Sequence, residues 1–203
     1  EPAKARENLK IETNAHTTRI VLTDGRASGV VFRQDSIERT AHARREVIIS
    51  GGAFGSPHLL QLSGIGPAAV LQSHGIAVQH DLAGVGENLQ DHFNTYIPYR
   101  CAKPVTANDL AISLRRRLMA GAQYLLFGKG MMANTGVHAG AFVRSDPSLE
   151  RPDLQMNFLP WGTKGRTAAG VEVYPFSAFC ISPVHLRPEG RGQVRLKSPD
   201  PLA

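Results

Sequence analysis

Histidine is the side chain that most readily gains and loses a proton near neutral pH, and the sequence contains eight. Two of them lie in or beside glycine-rich segments, His58 after Ser56-Pro57 and His92 at the end of Gly84–His92. Either could act as a general base, but we favour a structural, hydrogen-bonding role for His92. The other six follow no metal-ligand spacing, and we expect them on the surface or in the core: His16, His42, His74, His80, His138 and His185.

A glycine-rich turn after an apolar run is the second feature that could support chemistry. Val47-Ile48-Ile49 leads into Ser50-Gly51-Gly52, and glycine there lets a ligand approach the backbone without meeting a Cβ. The alternative is a tight turn between a strand and a helix that binds nothing. The spacing of a dinucleotide-binding loop, Gly-x-Gly-x-x-Gly, does not occur in the sequence.

Composition narrows the class of protein and of partner. The 203 residues are 42% hydrophobic and 20% charged, which is typical of one globular core or two small domains. Lys and Arg outnumber Asp and Glu by 23 to 17, which gives a formal charge of +6. The basic runs Arg44-Arg45 and Arg115–Arg117 have no interleaved aromatic residues. We therefore interpret them as solvated faces and predict no nucleic-acid partner.

Cysteine usage and hydropathy give three further expectations. Cys101 and Cys180 are the only cysteines, and their distant positions predict neither a disulfide framework nor a zinc site or other metal site. Reduced cysteines indicate a cytoplasmic protein, free or peripheral to the inner membrane. No apolar run approaches the roughly 18–20 residues of a membrane span, and the first ten residues lack a signal-peptide core.

Local patterns predict the elements of the first half. Alternating apolar residues on both sides of Asp24-Gly25 predict a β-hairpin whose first strand starts near Leu9. Ser36–Ala43 should be a half-buried strand, and the run at 47–49 a strand buried on both faces of a parallel sheet. Ser56-Pro57 should cap a short helix that Gly64 ends, and a second helix should run from Pro67 to His74, closed by Gly75.

The pattern changes after His92, so we place a domain transition near residues 92–95. A strand is predicted at 93–99, followed by one helix from a cap at Asp109 to Phe127, with Gly128 beyond its end. Its apolar stripe is Leu110, Leu114, Leu118, Ala122 and Leu125. Further strands are expected at Val137–Arg144, Asp153–Leu159 and Val173–Val184, and a hairpin at Glu189–Gly192 should lead to a last short strand.

Two motifs in order carry a resemblance to a known family. The segment Gly52–Gly66, here called the signature segment, resembles the second signature of the glucose–methanol–choline (GMC) oxidoreductases, with its Ser-Pro pair, two aliphatic residues and Ser-Gly-aliphatic-Gly. Asp81-Leu82 and Gly84–His92, here called the glycine loop, resemble another hallmark at the expected distance. Residues 139–145 and 191–201 are similar to the family's substrate-domain sheet, and the choline-dehydrogenase-like branch is the most similar one.

The resemblance implies FAD as the cofactor. In the family, backbone groups of a strand residue, usually valine, hold the adenine, and that position corresponds to Thr17, or to Thr18 or His16 after a one-residue slip. Ser50, Gly51 and Gly52 are the other implied cofactor-binding residues. The family's pyrophosphate loop would precede residue 1, and its catalytic histidine would follow residue 203. We therefore expect an internal fragment with no catalytic residue of its own, inactive and unable to retain FAD, which could self-associate.

The implied fold is mixed α/β and α+β. Residues 1–94 would be part of a two-dinucleotide-type FAD-binding domain, and residues 95–203 part of a substrate domain with an antiparallel sheet. The implied activity is hydride transfer from a choline-like primary alcohol to flavin, by a dehydrogenase or an oxidase. Two alternatives stay open: a lyase of the same family, and a non-catalytic basic binding module.

Overall fold

The structure is a computed structural model that describes residues 2–134, 136–168 and 170–203. Contacts between α-carbons divide the chain into two units. Unit 1 comprises the residues up to Gln90 together with Gly190–Ala203, and unit 2 comprises Asp91–Glu189. The division at residue 90 lies close to the transition predicted near residues 92–95, while residues 190–203 join unit 1. Helices and strands occur together, which confirms the predicted mixed fold class. Within the described residues, no helix has the length and apolar character needed to cross a membrane.

Unit 1 contains an antiparallel sheet of three strands in the order β1 (His16–Thr23), β2 (Arg26–Gln34) and β3 (Ile37–His42). The turn between β1 and β2 has a positive φ at both Asp24 and Gly25, 51° and 75°. A type I′ turn requires this pair of angles, so the predicted hairpin is confirmed.

Two details of this sheet differ from the sequence prediction. β1 begins at His16 and not near Leu9, because Asn14 has a φ of 54°, which interrupts the extended backbone. The carbonyl of Thr13 before it accepts a hydrogen bond of 3.0 Å from the Gln34 side chain. β3 is a strand, but all six of its residues are exposed and not half-buried. β1, the other outer strand, has buried residues because α1 lies against it, whereas no described helix packs on β3.

The rest of unit 1 contains a 3₁₀ turn at Pro2–Ala5, α1 (Gly52–Leu62), β4 (Ile65–Gly66), α2 (Ala68–Ser73) and β5 (His80–Asp81). β4 and β5 pair in parallel. Gly64 and Gly75, with φ of 80° and 69°, end the two helices in the left-handed conformation, as predicted. The buried apolar residues of the unit are Ile20, Val31, Leu71, Val85 and Leu196.

The predicted start of α1 is wrong. The helix begins at Gly52, and Pro57 lies inside it. Ser56 is not the cap: its Oγ accepts a hydrogen bond of 3.0 Å from the N–H of Gly51, the residue before the helix. Pro57 lacks the N–H that would donate a hydrogen bond to the carbonyl of Ala53. That carbonyl belongs to the first turn of α1, so the helix loses one hydrogen bond near its N-terminus and continues beyond Pro57.

The interior placement of Val47-Ile48-Ile49 is also wrong for this structure. The run lies outside the described sheets, and Ile48 is 79% exposed. An apolar run becomes a buried parallel strand only where neighbouring strands pair with it and helices cover both faces. The sheet of β1 to β3 does not supply such neighbours, so the run remains an exposed apolar segment.

Unit 2 is built on an antiparallel sheet in the order β6, β12, β9, β8, with β7 also paired to β12. The strands of the unit are β6 (Phe93–Asn94), β7 (Ile97–Arg100), β8 (Ala139–Val143), β9 (Leu154–Leu159), β10 (Thr163–Thr167), β11 (Gly170–Val173) and β12 (Ala178–His185). The antiparallel sheet expected in the second half is confirmed. The strand predicted at Val173–Val184 is two elements, because Val173 ends a separate β10–β11 hairpin.

The single helix predicted from Asp109 to Phe127 is wrong, because Ser113 adopts an extended conformation. It separates α3 (Asn108–Ile112) from α4 (Leu114–Phe127), and its hydroxyl accepts a hydrogen bond from the N–H of Arg116. Gly128 ends α4 with a φ of 62°, as expected. α4 has no buried residue, so its apolar stripe is exposed. A 3₁₀ turn follows at Met131–Ala133.

The predicted hairpin at Glu189–Gly192 does not form. Gly192 and Leu89 instead exchange two backbone hydrogen bonds of 3.0 and 2.7 Å. The N–H of Val194 also donates to the carbonyl of Gly86, at 2.7 Å. The backbone groups of this segment are satisfied by the glycine loop, so it has no strand of its own.

A single buried side chain fastens the base of the β10–β11 hairpin. Asn108 is 1% exposed, and its Oδ1 accepts a hydrogen bond of 2.8 Å from the N–H of Gly162. Its Nδ2 donates to the carbonyls of Gly162 and Tyr174, both at 2.9 Å. The amide of Asn108 therefore holds both ends of the hairpin.

We expect Asn108→Ala to lower the free energy of unfolding by about 2–3 kcal/mol, since it leaves buried backbone groups unpaired. Urea denaturation followed by circular dichroism measures this loss. Asn94→Ala, at an exposed position of β6, is the matched control and should change little. Equal losses in the two variants would contradict the role given to Asn108.

Candidate functional site

The signature segment contains α1, and its Ser63 bonds α1 to the β1–β3 sheet. Ser63, which is 6% exposed, follows the last residue of α1. Its Oγ donates to the carbonyl of Leu59 at 2.6 Å and accepts a hydrogen bond of 2.8 Å from the N–H of Ile20 in β1. The Ser-Gly pair of the signature thus ends the helix and fixes it to the strand that carries Thr17.

Ser50, Gly51 and Gly52 lie together where the chain enters α1, and all three are exposed. Gly52 has a φ of 76°, and nothing lies within 4 Å of where its Cβ would be. Gly51 has no such room, because a Cβ there would be 3.0 Å from the backbone of Gly55 and Ser56. Glycine is favoured at both positions for local reasons, and the space beside Gly52 leaves its backbone open to a ligand.

Thr17 is half-buried in β1, opposite Phe32 of β2. It lines a cleft of about 590 Å³ together with Lys10, Glu12, Ala15, Val30, Phe32, Arg39, Thr40 and Ala41. That volume lies within the roughly 300–1,000 Å³ of ligand pockets, and the aromatic and guanidinium groups of Phe32 and Arg39 suit a planar ring. Residues 50–52 do not line this cleft. The structure therefore places the predicted cofactor residues in one unit but not in one cavity.

Among the described residues, no histidine side chain is hydrogen-bonded to another histidine. His92 is exposed, and His58 is half-buried on α1. His16 Nε2 lies 3.2 Å from the carbonyl of Pro201. Within the described part of the chain, no group of three or more His, Cys, Asp and Glu side chains is placed to hold a metal ion.

An aromatic row lies on one face of the unit 2 sheet, and sequence analysis missed it. We define it as Tyr99, Phe158 and Phe179. The rings of Tyr99 and Phe179 are stacked with centroids 5.3 Å apart, and Phe158 and Phe179 are 5.4 Å apart. Tyr99 is 44% and Phe158 38% exposed, so the row offers an accessible π surface. The three residues are distant in sequence and meet only because β7, β12 and β9 are neighbours.

Gln61 is a second residue that sequence analysis missed. It is fully buried on α1, although it stands among Leu59, Leu60 and Leu62. A polar residue inside an apolar helical run is the feature that could have identified it, because a buried amide must find hydrogen-bond partners.

Comparison with known proteins identifies the family. Residues 1–94 match the family model of GMC oxidoreductases. Over 201 residues the chain is 42% identical to the oxygen-dependent choline dehydrogenase of Pseudomonas aeruginosa (strain LESB58), an alignment that covers 98% of this chain and 35% of that protein. The chain thus spans about a third of the length of such relatives. Its residues 1–94 belong to the N-terminal domain of the GMC oxidoreductase family.

Solved structures agree with this assignment at the level of the fold. A variant of Aspergillus oryzae RIB40 formate oxidase, studied for modification of its FAD, superposes with a TM-score of 0.83 at 25% identity, over 99% of this chain and 40% of that one. An FAD-dependent oxidoreductase of Chaetomium thermophilum superposes with a TM-score of 0.79 at 22% identity, over 100% of this chain and 41% of that one.

The glycine loop offers a direct test of the site geometry. A Cβ at Gly86 (φ 82°) would lie 2.2 Å from the carbonyl oxygen of Val194, whereas Gly75 (φ 69°) has nothing within 4 Å. Gly75→Ala should cost about 1–2 kcal/mol of stability, from the left-handed backbone alone. Gly86→Ala should cost about 1–3 kcal/mol more, from overpacking against Val194. Thermal unfolding of the two variants measures the difference, and equal losses would refute the close approach.

Proposed function

We propose that the protein containing this chain oxidises an alcohol, and that FAD accepts the hydride from the carbon that bears the hydroxyl group. The observation that carries the proposal is the signature segment in its structural setting, where Ser63 joins α1 to the strand of Thr17. The name and identity of the choline dehydrogenase relative support an alcohol as the substrate.

In this proposal, unit 1 contributes backbone contacts to the cofactor. Thr17 would present its main-chain groups to the adenine at the cleft that it lines. Ser50, Gly51 and Gly52 would approach the cofactor at the start of α1, where the first N–H groups of a helix have no partner within the helix. The N–H of Gly51 already donates to Ser56 Oγ, so Gly51 would contribute only its lack of a side chain. The open space beside Gly52 supports this role. We assign the proton-accepting role to none of the described histidines.

Unit 2 would provide one wall of the alcohol site through its aromatic row. The faces of Tyr99, Phe158 and Phe179 suit a quaternary ammonium group, which is attracted by the negative π face of an aromatic ring. A choline-like primary alcohol carries such a group two carbons from its hydroxyl. The proposed substrate is therefore a small alcohol with a cationic head.

The natural protein should contain FAD, and choline should bleach its flavin absorbance in the absence of oxygen. We expect Phe179→Leu to raise the KM for choline about tenfold, because a cation–π contact is lost. 3,3-Dimethylbutanol, which has the shape of choline without the charge, should be much less affected. Phe142→Leu is the control, since Phe142 is exposed and stands opposite Gln155, outside the aromatic row. A flavin that no alcohol reduces would refute the proposed activity.

We also propose a cytoplasmic location and self-association of this chain. Cys101 and Cys180 are both free, and burial raises the pKa of the Cys180 thiol, which keeps it neutral. A reducing compartment suits two such thiols. Self-association is supported by Val47-Ile48-Ile49, an apolar run with Ile48 largely exposed, which a second copy could cover.

Ile48→Asp separates folding from association. Because Ile48 is 79% exposed, the variant of the 203-residue chain should keep its stability within about 0.5 kcal/mol. It should also become monomeric, since a carboxylate replaces the apolar contact. Light scattering after size-exclusion chromatography measures the mass, with Val31→Asp, at a 4% exposed position, as the variant that should unfold. A monomeric parent chain would contradict the association.

A further inference from the structure

The amide of Gln61 joins two segments that are far apart in sequence. Its Nε2 donates to the carbonyl of Val194 at 3.0 Å, across 133 residues, and to the carbonyl of Pro57 in the preceding turn of α1 at 3.3 Å. The side chain is 0% exposed. Both acceptors are backbone carbonyls, so the position requires a group with two N–H donors.

The surroundings of Gln61 are closed on two sides by glycines. A Cβ at Gly66 would lie 3.1 Å from Gln61 Cγ, and a Cβ at Gly86 would lie 3.0 Å from Gln61 Nε2. Gly86 also accepts the N–H of Val194 at 2.7 Å. The carbonyl of Val194 therefore accepts from Gln61, and the N–H of Val194 donates to Gly86. The side-chain amide of Gln61 is thus the point where α1, the glycine loop and residue 194 meet.

This junction borders a small cavity at the N-terminal half of α1. The cavity has a volume of about 240 Å³ and is lined by Ala53 and Pro57 of α1, by Gly86–Gln90 and by Val194. Pro57 and Gln61 are one helical turn apart and lie on the same side of α1. Gln61 thus sets the distance between the glycine loop and the end of the helix that carries Gly51 and Gly52.

We propose that Gln61 is a positioning residue for the cofactor, which it does not itself contact. It holds the glycine loop and Val194 against α1, so that the start of α1 keeps the shape that binds FAD. This inference rests on the proposed function, in which that end of α1 contacts FAD. Gln61 Oε1 has no hydrogen-bond partner among the described residues. The amide is therefore held in place by its two N–H donors alone.

The test measures FAD binding to the apo form of the natural protein, well below the melting temperature of each variant. Gln61→Leu removes both donors at similar volume, and Gln72→Leu, at an exposed position of α2, is the control. We expect the FAD dissociation constant to rise about tenfold or more in Gln61→Leu and to stay unchanged in the control. Near pH 8, Gln61→Glu should bind FAD as weakly as Gln61→Leu does. Its affinity for FAD should recover toward about pH 5, because a buried carboxyl group is readily protonated and its O–H then supplies one hydrogen-bond donor.

Three outcomes decide between the proposals. Natural protein that binds no FAD overturns the proposed function, and this inference with it. Natural protein that binds FAD while a folded Gln61→Leu binds equally tightly overturns this inference alone. Should Gln61→Leu fail to fold, hydrogen exchange of the natural protein decides: FAD must slow exchange at 86–90 and 192–195 more than at 69–75, and equal protection overturns the inference.

Discussion

Unit 1 depends on the pairing of buried backbone groups by side chains of α1. A polar group taken out of water must keep a hydrogen-bond partner, or the fold loses about 1–3 kcal/mol for each one left unpaired. The hydroxyl of Ser63 accepts a hydrogen bond from the N–H of Ile20, and the amide of Gln61 donates one to the carbonyl of Val194. These two residues are separated by one position at the end of the same helix, and they reach segments that lie before and long after it in sequence. The helix therefore acts as the element against which the hairpin sheet and the glycine loop are both placed.

The glycines of the two motifs follow from the same constraint. A Cβ at Gly64 would lie 2.4 Å from the carbonyl oxygen of Ala77, and one at Gly86 would lie 2.2 Å from that of Val194. In both cases the glycine has a positive φ and another segment of backbone passes beside it. The small residues of the signature segment and of the glycine loop are therefore explained in part by close backbone packing within unit 1. A ligand-binding role can be added to it only at positions with open space, such as Gly52.

The sequence predicted those parts of the fold that local chemistry decides. Asp24-Gly25 is sufficient to specify its turn, and Gly64, Gly75 and Gly128 are sufficient to end their helices, because each acts through its own backbone angles. The errors concern elements that depend on distant partners. Val47–Ile49 has the composition of a central strand but not the neighbours. Gly192 and Val194 pair with the glycine loop, which no local pattern indicates.

The candidate site shows the same limit. The cofactor roles proposed for Thr17 and for Ser50–Gly52 rest on the resemblance, and neither group has a side-chain feature that would single it out locally. Gln61 and the aromatic row could be recognised only once their environment was known. In β12 the side chains alternate, so that Ala178, Cys180, Ser182 and Val184 are buried while Phe179 joins the aromatic row on the other face. One strand thus supplies both the core and the accessible surface of its unit. Since successive side chains of a strand point to opposite faces, the residues on the open face are free of the packing constraints that fix the buried one. Substitutions on the open face of β12 should therefore disturb the fold less than substitutions on its buried face.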